Sequence, residues 1–242
     1  MTGLDLGGEQ QWSLSRFLGY EHPFFFINKT TIIHTWALLV LLAGLCLLAR
    51  LVLKKNTLAR FLVISLVSNF MDLVENALGH FSFKHFCFII SLFFFILFGN
   101  TISIIPWLDE PTKDLNTTLA LGIASFLYIQ FYAITQNGLL TYIKGYFSPF
   151  FLMFPVNVIG KLASVVSISF RLFGNIFGGS IIITMYFDLI KGSLLFESVG
   201  MLVGLNLLIT LFFGLFEGFL QAFVFTMLSL TYLSMALQGK DH

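Results

Sequence analysis

Four long apolar runs set what this chain can fold into. They cover residues 86–105, 115–143, 156–190 and 198–239; the first two hold no charged side chain and the last holds only Glu217. A helix of about twenty apolar residues matches the hydrocarbon thickness of a bilayer, where the backbone must satisfy its own hydrogen bonds. A fifth run, Ile32–Leu53, is interrupted only by His34 near its start and Arg50 near its end, both placed to snorkel. Charged residues make up 10% of the chain, with mean hydropathy +0.92, whereas soluble domains carry about a quarter. The expected fold class is therefore an all-α membrane protein.

Several function classes drop out early. A net charge of +1 gives no electrostatic case for binding nucleic acid. Cys46 and Cys87 lie in apolar runs and have neither metal-site nor redox spacing. No deep His/Cys/Asp cluster stands out, so no catalytic residue, metal site or cofactor is expected. Residues 1–31 form a polar segment with Asp5, Glu9, Arg16, Glu21 and Lys29, and lack the basic start and apolar core of a signal peptide. This segment is expected to be kept ahead of a single membrane domain, 32–242.

Within that domain we expect five transmembrane helices, over 32–53, 86–105, 117–142, 156–190 and 198–238. Between the first two, 57–81 reads as an interfacial amphipathic helix: Leu66, Phe70, Leu73, Val74, Ala77 and Leu78 share one face, opposite Asp72, Glu75 and Asn76. The Pro106–Asn116 loop has turn chemistry, and Asp114 or Asn116 is placed to cap the next helix. Gly145, Pro149 and Pro155 mark a reversal, and Lys191, Gly192 and Ser193 a short connection. The last two runs are too long for upright crossings, so they must tilt, bend or lie against something other than lipid. Lys54, Lys55, Arg60, Lys84, Lys144 and Lys240 fall on one side, and Arg16, Lys29, Lys113 and Lys191 with most acids on the other. That bias places the N-terminus outside and the C-terminus in the cytoplasm or its organellar equivalent. The interfacial histidines are His22 and His34, and Asp188, Lys191 and Glu197 read as solvated loop charges.

The chemistry lies in the few polar residues of the last two runs. Arg171 is followed by sixteen uncharged residues before Asp188 and cannot easily reach an interface. An arginine at the bilayer centre costs about 2.5–3.5 kcal/mol on insertion scales, so it persists where it faces a protein partner or a wet cavity. Ser164, Ser167, Arg171, Gly174, Asn175 and Gly178 follow helical spacing as one stripe, and all but Arg171 and Asn175 are small. A small-residue stripe lets another helix approach closely in lipid. Asn206, Thr210, Gly214, Glu217 and Gln221 form a second stripe, continued by Val224 and Leu228, so its polar lane stops near mid-membrane. Arg171 paired with Glu217 as a purely structural ion pair is the bland alternative. Lys161 reads as a snorkelling anchor in preference to a relay group.

Three stretches of sequence carry a family resemblance. Ser167-Ile-Ser-Phe-Arg171-Leu-Phe-Gly-Asn175 resembles the arginine motif of the F-type ATP synthase subunit a family. Gln221-Ala-Phe-Val-Phe-Thr-Met-Leu228 is similar to its last-helix glutamine motif. Pro111-Thr-Lys-Asp-Leu-Asn116 with Thr118-Leu-Ala-Leu, preceded by Asn100 and Pro106, resembles its outer-loop motif. The resemblance spans about residues 30–238. It departs at two places. Ser180 stands nine residues after the arginine, where relatives often have an acid or histidine. Gly214 stands seven before the glutamine, where many carry glutamate or histidine, and Glu217 is the nearest carboxylate on that face.

The resemblance implies a non-catalytic proton-channel subunit in a bacterial plasma membrane or an organellar inner membrane. Its last two helices would form a tilted hairpin against the rotor, and its partners would be the c-ring, peripheral-stalk subunit b, membrane lipid and the transported protons. Arg171, Glu217, Gln221, Asn175, Ser167, Asn206 and Thr210 would serve translocation. A secondary transporter would instead show repeat symmetry or broken helices around a midplane site, and an intramembrane enzyme a nucleophile–base or metal-ligand set; neither signal is present. The charge bias yields a direct test of topology. Cysteines introduced at Lys55 and Lys113 should react with an impermeant reagent from opposite faces of the membrane, and reaction from one face would contradict the five-span arrangement.

Overall fold

The structure is a computed structural model that describes residues 11–13, 26–54, 58–102, 110–147, 150–190 and 204–237. A two-stranded antiparallel ribbon pairs β1 (Gln11–Ser13) with β2 (Phe26–Asn28). The other described elements are helices: α1 (Lys29–Leu53), α2 (Leu58–Leu78), α3 (Phe83–Thr101), a 3-10 turn (Pro111–Lys113), α4 (Leu115–Asn137), α5 (Leu139–Tyr146), α6 (Met153–Ile190) and α7 (Leu205–Leu237). Six of them, all but α5 and the 3-10 turn, are long and apolar enough to cross a membrane by length and composition. Several sequence features fall outside the described residues: Arg16, His22, Lys55, Pro106–Asp109, Pro149, Lys191–Ser193, Glu197 and Lys240.

Local chemistry sets the helix ends, and it differs from the sequence reading in one place. The run expected as one span over 117–142 is divided at Gly138, whose φ of 77° and ψ of 147° side chains with a Cβ rarely adopt. There α4 stops and the short α5 begins. Pro155 lies just past the reversal between α4 and α6, in the first turn of α6, where its missing N–H lacks an intrahelical partner anyway. Of the two candidate caps for α4, Asp114 serves: its side chain accepts from the Asn116 N–H at 3.0 Å. α2 ends where Gly79, at φ 75°, donates its N–H to the Glu75 carbonyl. On α2, Val74 and Leu78 are buried while Asp72, Glu75 and Asn76 are exposed; Leu66, expected on the buried face, is exposed as well.

The bundle is built around α7. α3 runs antiparallel to it: Asn100 Nδ2 donates to the Gly218 carbonyl at 3.2 Å, while Phe86 and Ile89, early in α3, cluster with Leu230 and Leu233. α4 runs parallel, with Ile129 in that same cluster and Asn137 Nδ2 donating to the Ala236 carbonyl at 3.1 Å. α2 joins through Val74, Leu78 and a 2.6 Å bond from Ser234 Oγ to the Ala77 carbonyl. α6 is antiparallel, packing Ile168, Leu172 and Ile176 with Ala222 and Phe225. α1 lies at the edge. Leu38 and His34 are buried, while Trp36, Val40 and Leu47 face outward. Large apolar side chains remain exposed on every long helix, as suits a chain whose outer solvent is lipid.

Close approaches between helices depend on glycine, as is usual where packing rather than water drives association. A Cβ on Gly218 would stand 3.1 Å from Asn100 Cβ and 3.4 Å from Thr101 Cγ2. A β-carbon cannot rotate aside as the end of a long side chain can, so Gly218→Ala should shift α3 outward from α7 and weaken the Asn100 bond. Overpacking of this kind costs about 1–3 kcal/mol. In thermal denaturation of the purified complex, Gly218→Ala should release this subunit at a lower temperature. Gly160→Ala, where a Cβ meets nothing within 4 Å, should leave that temperature unchanged.

Candidate functional site

α6 contains 38 residues, about 57 Å at 1.5 Å per residue, roughly twice the thickness of a hydrocarbon core. One of its faces is committed to the bundle through Val165, Ile168, Ser169, Leu172, Ile176 and Gly179. The other carries Ser167, Arg171 and Gly174 exposed, with Ser164, Asn175 and Gly178 partly exposed. A Cβ added at Gly174 or Gly178 would meet nothing within 4 Å. The guanidinium therefore stands on an open strip of missing side chains on the outside of the bundle. Among the described residues no carboxylate lies within 4.0 Å of it, so the structural Arg171–Glu217 pair is not formed.

α7 is not a uniform α-helix. Residues Leu211–Phe216 form a π-helical turn, after which the Glu217 N–H bonds to the Phe212 carbonyl. This changes the angular spacing between the polar residues on either side. Thr210 is exposed and Asn206 and Glu217 partly buried, whereas Gly214 and Gln221 are buried. Exposure therefore differs along the single polar stripe expected from regular α spacing. Nor does polarity end at Gln221: Thr226 and Ser229 are buried further along α7, on a face the stripe reading did not follow.

The two helices meet in antiparallel register at named points. Asn206 Oδ1 accepts from the Tyr186 hydroxyl at 2.6 Å. Glu217 Oε2 lies 3.2 Å from where a Gly179 Cβ would be, and Phe213 Cδ1 at the same distance. Ala222, next to the buried Gln221, shares a cluster with Leu172, next to Arg171. Glu217 is thus level with Gly179, eight residues or about 12 Å along α6 from Arg171. That offset separates the carboxylate from the guanidinium while keeping both on one hairpin.

Beside Glu217 is a cavity of about 260 Å³ whose polar lining comes from Glu110, Lys113, Ser180, Thr184 and Thr210, and which reaches Gly179 and Gly214. Lys113 and Glu110 pair at 3.4 Å. Thr210 Oγ1 donates to its own helix at Asn206 O, and the Ser180 and Thr184 hydroxyls likewise bond within α6, at Phe177 O and Ser180 O. Sequence reasoning named Thr210 but gave no role to Thr184, Tyr186 or Glu110. The i, i+4 pair Ser180/Thr184 was the available signal for the α6 wall. Glu110 reaches the cavity only through the fold of the loop before α4, which no local pattern announces. The walls also include Ile176, Ile183, Phe187 and Phe213, so the polar groups form only part of a lining that reaches a carboxylate's neighbourhood.

Comparison with known proteins bears on the same helices. A family model described as ATP synthase A chain matches residues 32–234. ATP synthase subunit a of Moorella thermoacetica is 34% identical over 211 residues, 87% of this chain and 91% of that protein. ATP synthase subunit a 1 of Syntrophotalea carbinolica is 32% identical over 224 residues, covering 90% and 88%. ATP synthase subunit a 2 of Picosynechococcus is 31% identical over 226 residues, covering 90% and 89%. With six apolar helices and a match running through both α6 and α7, this integral membrane chain belongs to the ATP synthase subunit a family.

Proposed function

We propose that the chain is the proton-translocating stator subunit of an F-type ATP synthase, providing two aqueous half-channels and the arginine that governs protonation of rotating c-ring carboxylates. The observation that carries this reading is the placement of Arg171: mid-helix, exposed on a strip of small residues and without a carboxylate partner among the described residues. A charge left so in a membrane helix calls for a counter-charge from another subunit. A ring of helices passing that strip, each bearing one acid, would supply it.

On this reading protons enter from outside through the cavity at Thr210, Ser180 and Thr184, pass Asn206 and Glu217, and neutralise a ring carboxylate. The neutral acid can then face lipid, which its anion could not do without a large desolvation cost. After nearly a full turn the acid meets water on the inner side and releases its proton. Arg171 draws the resulting anion in, because an opposite charge favours the ionised form, and blocks direct passage between the half-channels. Ser167 and Asn175 flank it on α6, and Gln221 approaches from α7. A membrane potential supplies about 2.3 kcal/mol per charge per 100 mV. No covalent bond changes in this subunit, so it is not itself an enzyme.

The same proposal takes α2 as interfacial and the other five long helices as spans, with α6 and α7 tilted against the ring. Its amphipathic faces support the assignment of α2. Charge bias supports an outer N-terminus and a cytoplasmic C-terminus in a bacterial plasma membrane. Subunit b would pack on outward apolar surface elsewhere on the bundle.

Two substitutions test the roles. Arg171→Ala should abolish ATP-driven proton pumping while the complex still assembles, and Arg171→Lys should not restore it, since a compact ammonium lacks the planar guanidinium fork. Normal coupled pumping in either variant would remove the assigned role. Glu217→Gln should slow proton entry, most of all at high outside pH where protons are scarce, with assembly intact. Full synthesis rates in an assembled Glu217→Gln enzyme would leave Asn206, Thr210 and water as the outer path.

A further inference from the structure

At the opposite end of α6 from the Glu217 cavity, the chain builds a second concave site that the proton path does not use. α5 places Tyr142 and Tyr146 four residues apart, on one helical face. Their positions are fixed by hydrogen bonds: the Tyr142 hydroxyl bonds the Gln130 side chain of α4 and the Tyr146 hydroxyl, the latter at 2.6 Å. Asn157 Nδ2 of α6 donates to the Tyr146 carbonyl at 2.9 Å. Over this pair sits the Lys161 ammonium, 4.0 Å from the Tyr146 ring centroid and 4.8 Å from that of Tyr142. Lys161 and both tyrosines line a cavity of about 250 Å³ whose remaining walls include Phe126, Phe154, Val158 and Leu162.

The chemistry of this site is one-sided. An ammonium has three N–H donors, yet among the described residues Lys161 has no carboxylate within 4.0 Å and no hydrogen-bond acceptor. Two ring faces stabilise the cation but leave its charge uncompensated. The walls are apolar, so an occupant must combine an anionic group with a hydrocarbon or glycerol body. Lys144, on α5 between the two tyrosines, adds a second positive charge at this end of the bundle. Basic pockets between membrane helices recognise anionic lipid headgroups in this way.

We propose that the Lys161–Tyr142–Tyr146 cavity is a binding site for an anionic glycerophospholipid, its phosphate on Lys161 and its glycerol and upper acyl carbons against Phe154, Val158 and Leu162. The phosphate chemistry is shared with free inorganic phosphate; the apolar walls select the lipid. The test uses the intact ATP synthase in phosphatidylcholine vesicles containing a photoactivatable phosphatidylglycerol. After irradiation, labelled peptides should map to α5 and the first half of α6. Lys161→Gln should lower that labelling about fivefold, the equivalent of the ~1 kcal/mol that one lysine contributes against anionic lipid. Lys161→Arg should retain it, and Tyr146→Leu, which removes one ring face, should lower it while keeping the charge. If Lys161→Gln fails to assemble, Tyr146→Leu carries the comparison. Labelling unchanged in both variants, equal labelling by a photoactivatable phosphatidylcholine, or displacement by added inorganic phosphate would each overturn the assignment. So would a neighbouring subunit cross-linking into the cavity in place of lipid.

Discussion

A guanidinium in the middle of a long apolar helix, exposed and without a carboxylate partner among the described residues, is the constraint around which the other features arrange themselves. Pairing Arg171 with Glu217 would satisfy both charges and also make both inert, because a buried ion pair in low dielectric is hard to separate. The hairpin avoids this by register: Glu217 meets Gly179 while Ala222, one residue past Gln221, packs beside Leu172. The rest of the bundle then has to hold α6 and α7 at that register. α3 does so with Asn100 on the Gly218 carbonyl, and α4 with Gly122, where a Cβ would collide with Ser169 Oγ and approach the Val165 carbonyl.

Polar groups are distributed unevenly as a result. Hydroxyls that line the cavity near Glu217 bond back to their own helix, which satisfies their protons without closing the space. Further along α7, Thr226 and Ser229 are buried. Interhelical polar contacts in membranes contribute modestly, on average about 0.6 kcal/mol where measured by double-mutant cycles, so shape and glycine placement carry more of the register than hydrogen bonds do.

Much of this was legible in the residues. Apolar runs of known length located the long apolar helices, and helical spacing alone put Ser167, Arg171 and Gly174 on one strip, because both signals are local and periodic. Three kinds of feature were not legible. The break at Gly138 was masked by the long uncharged run around it, although Asn137-Gly138 is a turn-type pair, and the backbone angle makes it plain. The capping choice between Asp114 and Asn116 depends on loop geometry, since either side chain can serve. The faces of α7 could not be assigned from a regular 3.6-residue period once a π turn intervenes, so the exposure of Thr210 and the burial of Gln221, expected on one stripe, were not foreseen. Tyr186 meets Asn206, and Glu110 reaches the cavity, through tertiary folding that no sequence window contains.

The π turn also alters how positions in related chains should be compared. A turn with i to i−5 bonding holds more residues than an α turn, so the helix before it is rotated and displaced relative to the helix after it. Distance counted in residues from Gln221 back to an acidic group therefore does not measure angle or depth in the membrane. A chain with its acid three positions earlier and a chain with Glu217 can present a carboxylate to the same cavity if their helices are wound differently between. Winding, rather than sequence position, is then the quantity that fixes where such a group sits, and a helix that can take up or release one residue of slack leaves the location of its acid free to drift without moving the site.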